Sequence, residues 1–162
     1  MEEHSLGVRG RGLRGFVIGF VAVVAVGLVL LNLPRGGTPK RADARNSGQV
    51  ALGQQVYTAQ CARCHGANLE GQPNWKQELP SGGRSAPPHD ATGHTWHHAD
   101  ALLFDIVKRG GQASSPADYK NNMPAFRSIL SDDEIWAALA YIKSKWPADI
   151  QAAQEQVNQQ SQ

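Results

Sequence analysis

Cys61-Ala62-Arg63-Cys64-His65 is the stretch on which the reading of this chain turns. It is a C-x-x-C-H run, the attachment signature of a c-type haem. In that chemistry the two thiols add across the two vinyl groups of one porphyrin as thioethers, and the two-residue spacer lets both sulfurs reach the same edge. The histidine beside the second thiol is then held under the iron as the proximal ligand. The chain has two cysteines and two methionines, so its only other sulfur atoms belong to Met1 and to Met123, in Asn122-Met123-Pro124-Ala125-Phe126. Two other uses of the motif fit less well. A redox dithiol wants C-x-x-C opening a helix within a βαβ pattern, whereas here the motif closes a helical segment and no parallel-strand pattern appears. A structural zinc site wants four ligands, and two cysteines would leave histidines to complete it.

Upstream of the motif the composition changes abruptly. Residues 15–34 carry no charge and lie between Arg14 and Arg35. Their centre, Phe16 to Leu31, is apolar on every face. About 20 such residues in a helix span roughly 30 Å of hydrocarbon, longer than the apolar core of a cleaved signal peptide. The only A-x-A, Ala42-Asp43-Ala44, lies too far past the run and among charges. The run is therefore read as an uncleaved transmembrane anchor. Basic residues flank it on both sides, Arg9, Arg11 and Arg14 before and Arg35, Lys40, Arg41 and Arg45 after, so charge alone does not orient it. The haem motif does, because c-type attachment takes place on the outer face of the bacterial inner membrane. Residues 1–14 are then cytoplasmic and the haem domain periplasmic.

Residues 35–48, rich in Gly, Pro, Arg and Asn, read as a flexible linker with a reach on the order of 20 Å. Residues 49–147 hold nine Lys/Arg and nine Asp/Glu. Their formal charge is zero, so the basic balance of the whole chain comes from the membrane flanks and gives no reason to expect nucleic acid as a partner. The glutamine-rich stretch 148–162 looks too polar to pack and is expected to be a disordered tail.

Within 49–147 the pattern is all-α, with three main helices. Gln49 to Gln60 places Leu52, Val56 and Tyr57 on one side and delivers the chain into the motif. Residues 66–94 form a long loop, admissible in a small domain when it wraps a bulky cofactor. Ala99 to Arg109 carries an apolar stripe of Leu102, Leu103, Ile106 and Val107 and stops at Gly110-Gly111. The third helix starts at a capping box, Ser131-Asp132-Asp133-Glu134, and Pro147 ends it.

These elements, in this order, resemble a membrane-anchored, monohaem class I c-type cytochrome of bacteria. The resemblance covers about residues 49–147. It rests on Gly53 and Tyr57, on Cys61-Ala62-Arg63-Cys64-His65-Gly66, on Ala86-Pro87-Pro88, on Met123-Pro124-Ala125-Phe126, and on Ala140-Tyr141-Ile142. It implies one haem c, covalent through Cys61 and Cys64, with His65 and Met123 as the axial ligands. It implies further that Gly53 permits a close crossing of the first and last helices, and that the Pro87 carbonyl accepts a hydrogen bond from His65. The family pattern at that place is Pro-x-Leu, and His89 departs from the leucine. Competing sixth ligands are His89, His94, His97 and His98; His94-x-x-His97-His98 is also a pattern that binds copper or zinc. Arg84 and Trp96 have the donor chemistry for the haem propionates, and Tyr119 and Asn122 lie where the methionine side would be supported.

A six-coordinate haem leaves no open position for a substrate, and no nucleophile constellation or phosphate loop is visible. The expected function is one-electron transfer between membrane or periplasmic redox proteins: a quinol-oxidising complex, a terminal oxidase or a periplasmic dehydrogenase. The alternatives are a haem-based ligand sensor or weak peroxidase with a labile distal ligand, and copper handling at the histidine cluster.

Overall fold

The computed structural model describes residues 41–161, which belong to one compact unit. The apolar run 15–34, with the anchor and orientation expected of it, lies outside the described residues. No helix among those described is long and apolar enough to cross a membrane.

The regular elements among the described residues are all helical, and the one β-type pairing among them is an isolated antiparallel bridge between Glu78 and Arg84. Helix α1, Ser47–Val56, starts two residues before the periodicity of the sequence suggests. Asn46 caps it: its side-chain oxygen accepts from the Gln49 amide at 3.0 Å, satisfying one of the free N–H groups of the first turn. A π-helical turn, Tyr57–Cys61, continues the rod into α2, Ala62–His65. Gly66, at φ +83°, ends it in a backbone conformation that suits glycine.

Helix α3, Asp100–Arg109, likewise stops at a positive-φ residue, Gly110, whose amide donates to the Ile106 carbonyl at 2.8 Å. Helix α4, Asp132–Ser144, opens on the capping box: Ser131 Oγ accepts from the Glu134 amide, and Glu134 Oε2 accepts from the Ser131 amide at 2.8 Å. α1 packs most closely on α4. The contact depends on Gly53, because a Cβ there would lie inside the carbonyl oxygen of Ala137 and 2.5 Å from its carbon. Beside it the rings of Tyr57 and Tyr141 meet at 5.4 Å. One core cluster joins Val56, Leu103, Phe126, Leu130, Ile135 and Leu139 across α1, α3 and α4; a second joins Tyr57, Leu69, Tyr141, Ile142 and Trp146.

Two expectations are corrected. The stretch read as flexible linker is part of the fold from residue 41 onward. Ala42 is buried in the core, and the Gln49 side chain holds its neighbours by accepting from the Asp43 amide at 2.8 Å and donating to the Arg41 carbonyl at 3.3 Å. The stretch 148–162, expected to be disordered, forms helix α5, Ala148–Gln160, with Pro147 directly before its first turn. Its anchor is polar. Gln154 is fully buried and donates to Asp100 Oδ1 at 2.7 Å and to the His98 carbonyl at 3.2 Å. Asp100 also pairs with the buried Lys143 at 2.7 Å and sends its amide to Asn158 Oδ1 at 2.7 Å. A composition too polar for an apolar core is thus compatible with docking when its amides complete a buried ion pair.

Candidate haem site

Both thiols sit at the end of the first helical rod and are free, Cys61 half-buried and Cys64 exposed. Burial, and then the neighbouring Cys64, push the Cys61 thiol up to about 11. An exchanging dithiol needs its attacking thiol lowered, so this environment does not suit redox cycling of the pair. His65, the next residue, is buried at 8 % exposure. Its Nδ1–H donates to the carbonyl of Pro87 at 2.9 Å, an assignment that follows because a carbonyl can only accept. Nε2 then carries the ring's lone pair. Burial lowers the pKa of His65 and outweighs the opposing effect of the bond to Pro87, so the ring is neutral and ready to ligate.

The long loop after the motif folds back to present Pro87. Gly71 donates to the His65 carbonyl at 2.8 Å, and Gln72 to that of Ala86 at 3.0 Å. Gly71, at φ +69°, leaves no room for a side chain, because a Cβ would stand 2.7 Å from the Pro87 carbonyl carbon. Tyr57 closes the other end of the motif, its hydroxyl donating to the Gly66 carbonyl at 2.8 Å. Burial raises the pKa of that phenol, which stays protonated as a donor. His89 lies against the same ring as Pro87: the His65 and His89 rings stack at 4.0 Å and 22°.

Met123 is half-buried and packs on the first core cluster. Its carbonyl accepts from the Gly111 amide at 3.1 Å, and the segment after it is pinned to the end of α3, the Phe126 amide donating to the Val107 carbonyl and the Arg127 amide to that of Lys108. The side chain that braces the Met123 backbone is Asn121, whose Oδ1 accepts the Met123 amide at 3.1 Å while its Nδ2 donates to Ser115 Oγ at 3.0 Å. The sequence reading singled out Asn122, which is exposed and whose amide lies against Gly83, and missed Asn121. The signal was present as an Asn two residues before the methionine, the spacing of an Asx turn. Tyr119 is half-buried, and its carbonyl accepts from Gln112 at 3.0 Å.

Arg84 is exposed, on the loop bridged to Glu78. Trp96 packs against the second core cluster. The four histidines are dispersed. His89 is on His65; His94 stacks on Trp75 and meets His98 edge-on, each at 5.5 Å; His97 lies on Trp96 at 3.7 Å. No group of three or more His, Cys, Asp or Glu side chains is gathered as a metal cage among the described residues.

These residues fit a covalent haem. The Nε1–H of Trp96 is buried with no hydrogen-bond partner among the described residues. An unmet buried donor costs about 1–3 kcal/mol, and a propionate carboxylate is an acceptor that would remove the cost. With two unpaired thiols and a neutral imidazole next to them, the donor set matches the group.

Residues 50–146 match the model of the family described as Cytochrome c. Cytochrome c6 of Diacronema lutheri is 28% identical to this chain over 102 residues, which cover 60% of this chain and 98% of that one. Among solved structures, cytochrome CL from the marine methylotrophic bacterium Methylophaga aminisulfidivorans is 20% identical, with a TM-score of 0.48, over 72% of this chain and 70% of that one.

Proposed function

This chain belongs to the cytochrome c family, and we propose that it is a membrane-tethered one-electron carrier with histidine and methionine as its axial ligands. It is an electron-transfer protein whose haem c is covalent through Cys61 and Cys64. When bound, the haem supplies an Fe(II)/Fe(III) couple that exchanges one electron without bond rearrangement. The chain's own residues do the rest. His65 offers Nε2 as the proximal donor, and Pro87 fixes the tautomer that makes it one. Met123 offers a thioether from a backbone braced by Asn121 and stiffened by Pro124. Trp96 offers its unmet N–H to a propionate.

The observation that carries this reading is the 2.9 Å bond from His65 to Pro87, two residues that the fold brings together around the attachment motif. Met123 is tested by replacement. Met123→His should keep the iron six-coordinate and lower the reduction potential, because imidazole donates more strongly to ferric iron. Met123→Ala should admit carbon monoxide to the ferrous protein. Unchanged spectrum, potential and ligand binding in both would remove Met123 from the site.

The tether rests on the charge-free run 15–34. Anchored at the outer face of a bacterial inner membrane, the domain would share a surface with its partners and gain effective concentration there. The chemistry suits a quinol-oxidising complex, a terminal oxidase or a periplasmic dehydrogenase. Full-length protein should sediment with membranes and require detergent, whereas a chain starting at Arg41, exported by a borrowed cleavable signal, should be released in soluble form with the same spectrum. Soluble full-length protein bearing its intact N-terminus would end the proposal of an anchor.

A further inference from the structure

We propose that His89 is a positioning residue for the proximal ligand, a second imidazole that locks the ring plane of His65 and lowers the potential of the haem relative to an aliphatic side chain at this place. The inference rests on the reading of His65 as the iron ligand. Pro87 and His89, two residues apart, hold the same ring in different directions. The Pro87 carbonyl accepts from Nδ1–H at 2.9 Å; His89 covers the ring face at 4.0 Å and 22°. Turning His65 about its Cβ–Cγ bond would break the first contact and unstack the second.

His89 is itself held at three points. Its Nδ1 shares a hydrogen bond of 2.7 Å with Oγ1 of the buried Thr95; its amide donates to the Leu69 carbonyl at 2.8 Å; its carbonyl accepts from Trp146 Nε1 at 2.7 Å. The preceding Pro87-Pro88 pair restricts the backbone that delivers it. A surface histidine that stacks by chance has no such mounting. The electronic consequence follows from the charge of the ligand. A proximal imidazole gives up more electron density to Fe(III) than to Fe(II), so a polar, polarisable ring on its face favours the ferric state more than a leucine would. Polar surroundings of the ligand, without any contact to the metal, thereby lower the potential.

The test is spectroelectrochemistry of the holoprotein, read beside the paramagnetically shifted NMR signals of the His65 ring. His89→Leu should raise the potential and move those signals. Thr95→Val, which frees His89 without removing it, should shift both in the same direction by less, and serves as the reading if His89→Leu yields no holoprotein. His89→Phe should keep the His65 ring signals near their place, since a flat ring remains, while the potential still rises. Potentials and ring signals equal to wild type in both His89→Leu and Thr95→Val would overturn the proposal. A His65→Ala protein that kept the wild-type low-spin spectrum would instead sink the reading beneath it, so the two failures are distinguishable.

Discussion

A methyl group at position 53 would stand 2.5 Å from the carbonyl carbon of Ala137 and 2.9 Å from Cβ of Tyr141, closer than non-bonded carbons come. The carbonyl oxygen of Ala137 is closer still, and both Ala137 atoms are helix backbone, which cannot swing aside as the end of a long side chain can. Gly53→Ala should therefore force α1 and α4 apart and destabilise the holoprotein by about 3 kcal/mol, the upper part of the overpacking range. Denaturant unfolding followed by circular dichroism measures it. The control is Gly48→Ala, whose Cβ would meet only Asn46 Oδ1 at 3.5 Å; there the change should be small.

At the scale of elements, α5 is anchored chiefly by a buried polar cluster. Asp100 opens α3, Lys143 sits near the end of α4, and Gln154 lies in the middle of α5, so a single polar cluster ties three helices. The ion pair is buried, and removing one partner strands the other. Asp100→Asn should cost about 3–5 kcal/mol. Gln154→Ala deletes a hydrogen bond to a charged group and should cost about 1.5–3 kcal/mol, with faster amide exchange confined to α5. Equal exchange throughout the molecule would show that α5 is held by something else.

The same element shows what the sequence could and could not convey. Helix starts and stops were legible because their causes are local. Ser131 and Glu134 are three residues apart, and Gly110 follows directly on the last turn of α3. The attachment motif is local too. The bond between His65 and Pro87 was reachable only through family resemblance, since nothing in either residue's neighbourhood points to the other. Gln154 reads as one glutamine among many, because its partners lie 54 residues away at Asp100 and 56 away at His98. The linker was misjudged for the same reason: Ala42 has no local signal of burial, and its place is set by the core it enters.

For the molecule as a whole, acid should act through histidines that burial holds neutral: His89, lowered well below 6.5, and the pair beside Trp75. Burial lowers the pKa of His94, helped by His98, His97 and Lys76, and lowers that of His98, helped by His97. Both folded-state values then lie below the ordinary 6.5. Below that pH the unfolded chain binds more protons than the folded one, so stability is full above it and is lost as pH falls from 6.5 through the folded pKa values. The unfolding midpoint of the holoprotein should drop between pH 7 and pH 5.5. A His94→Gln, His98→Gln double variant should reduce that slope and leave the share of His89; a slope unchanged in the double variant would take His94 and His98 out of the acid response.

The crossing of α1 on α4 joins the two ends of the matched domain, and nearly every residue proposed to touch the haem lies on the loop that this crossing closes. Closing a loop of that length carries an entropy cost that the packing at the crossing must offset. Were the crossing to open, the loop that carries His65, Pro87 and Met123 would be released with it. A prosthetic group held only by packing and coordination would escape at that moment. Thioethers from Cys61 and Cys64 would leave it on the first helical rod, so an opening of the crossing would be reversible, and each reclosure would start from a chain that still carries its iron.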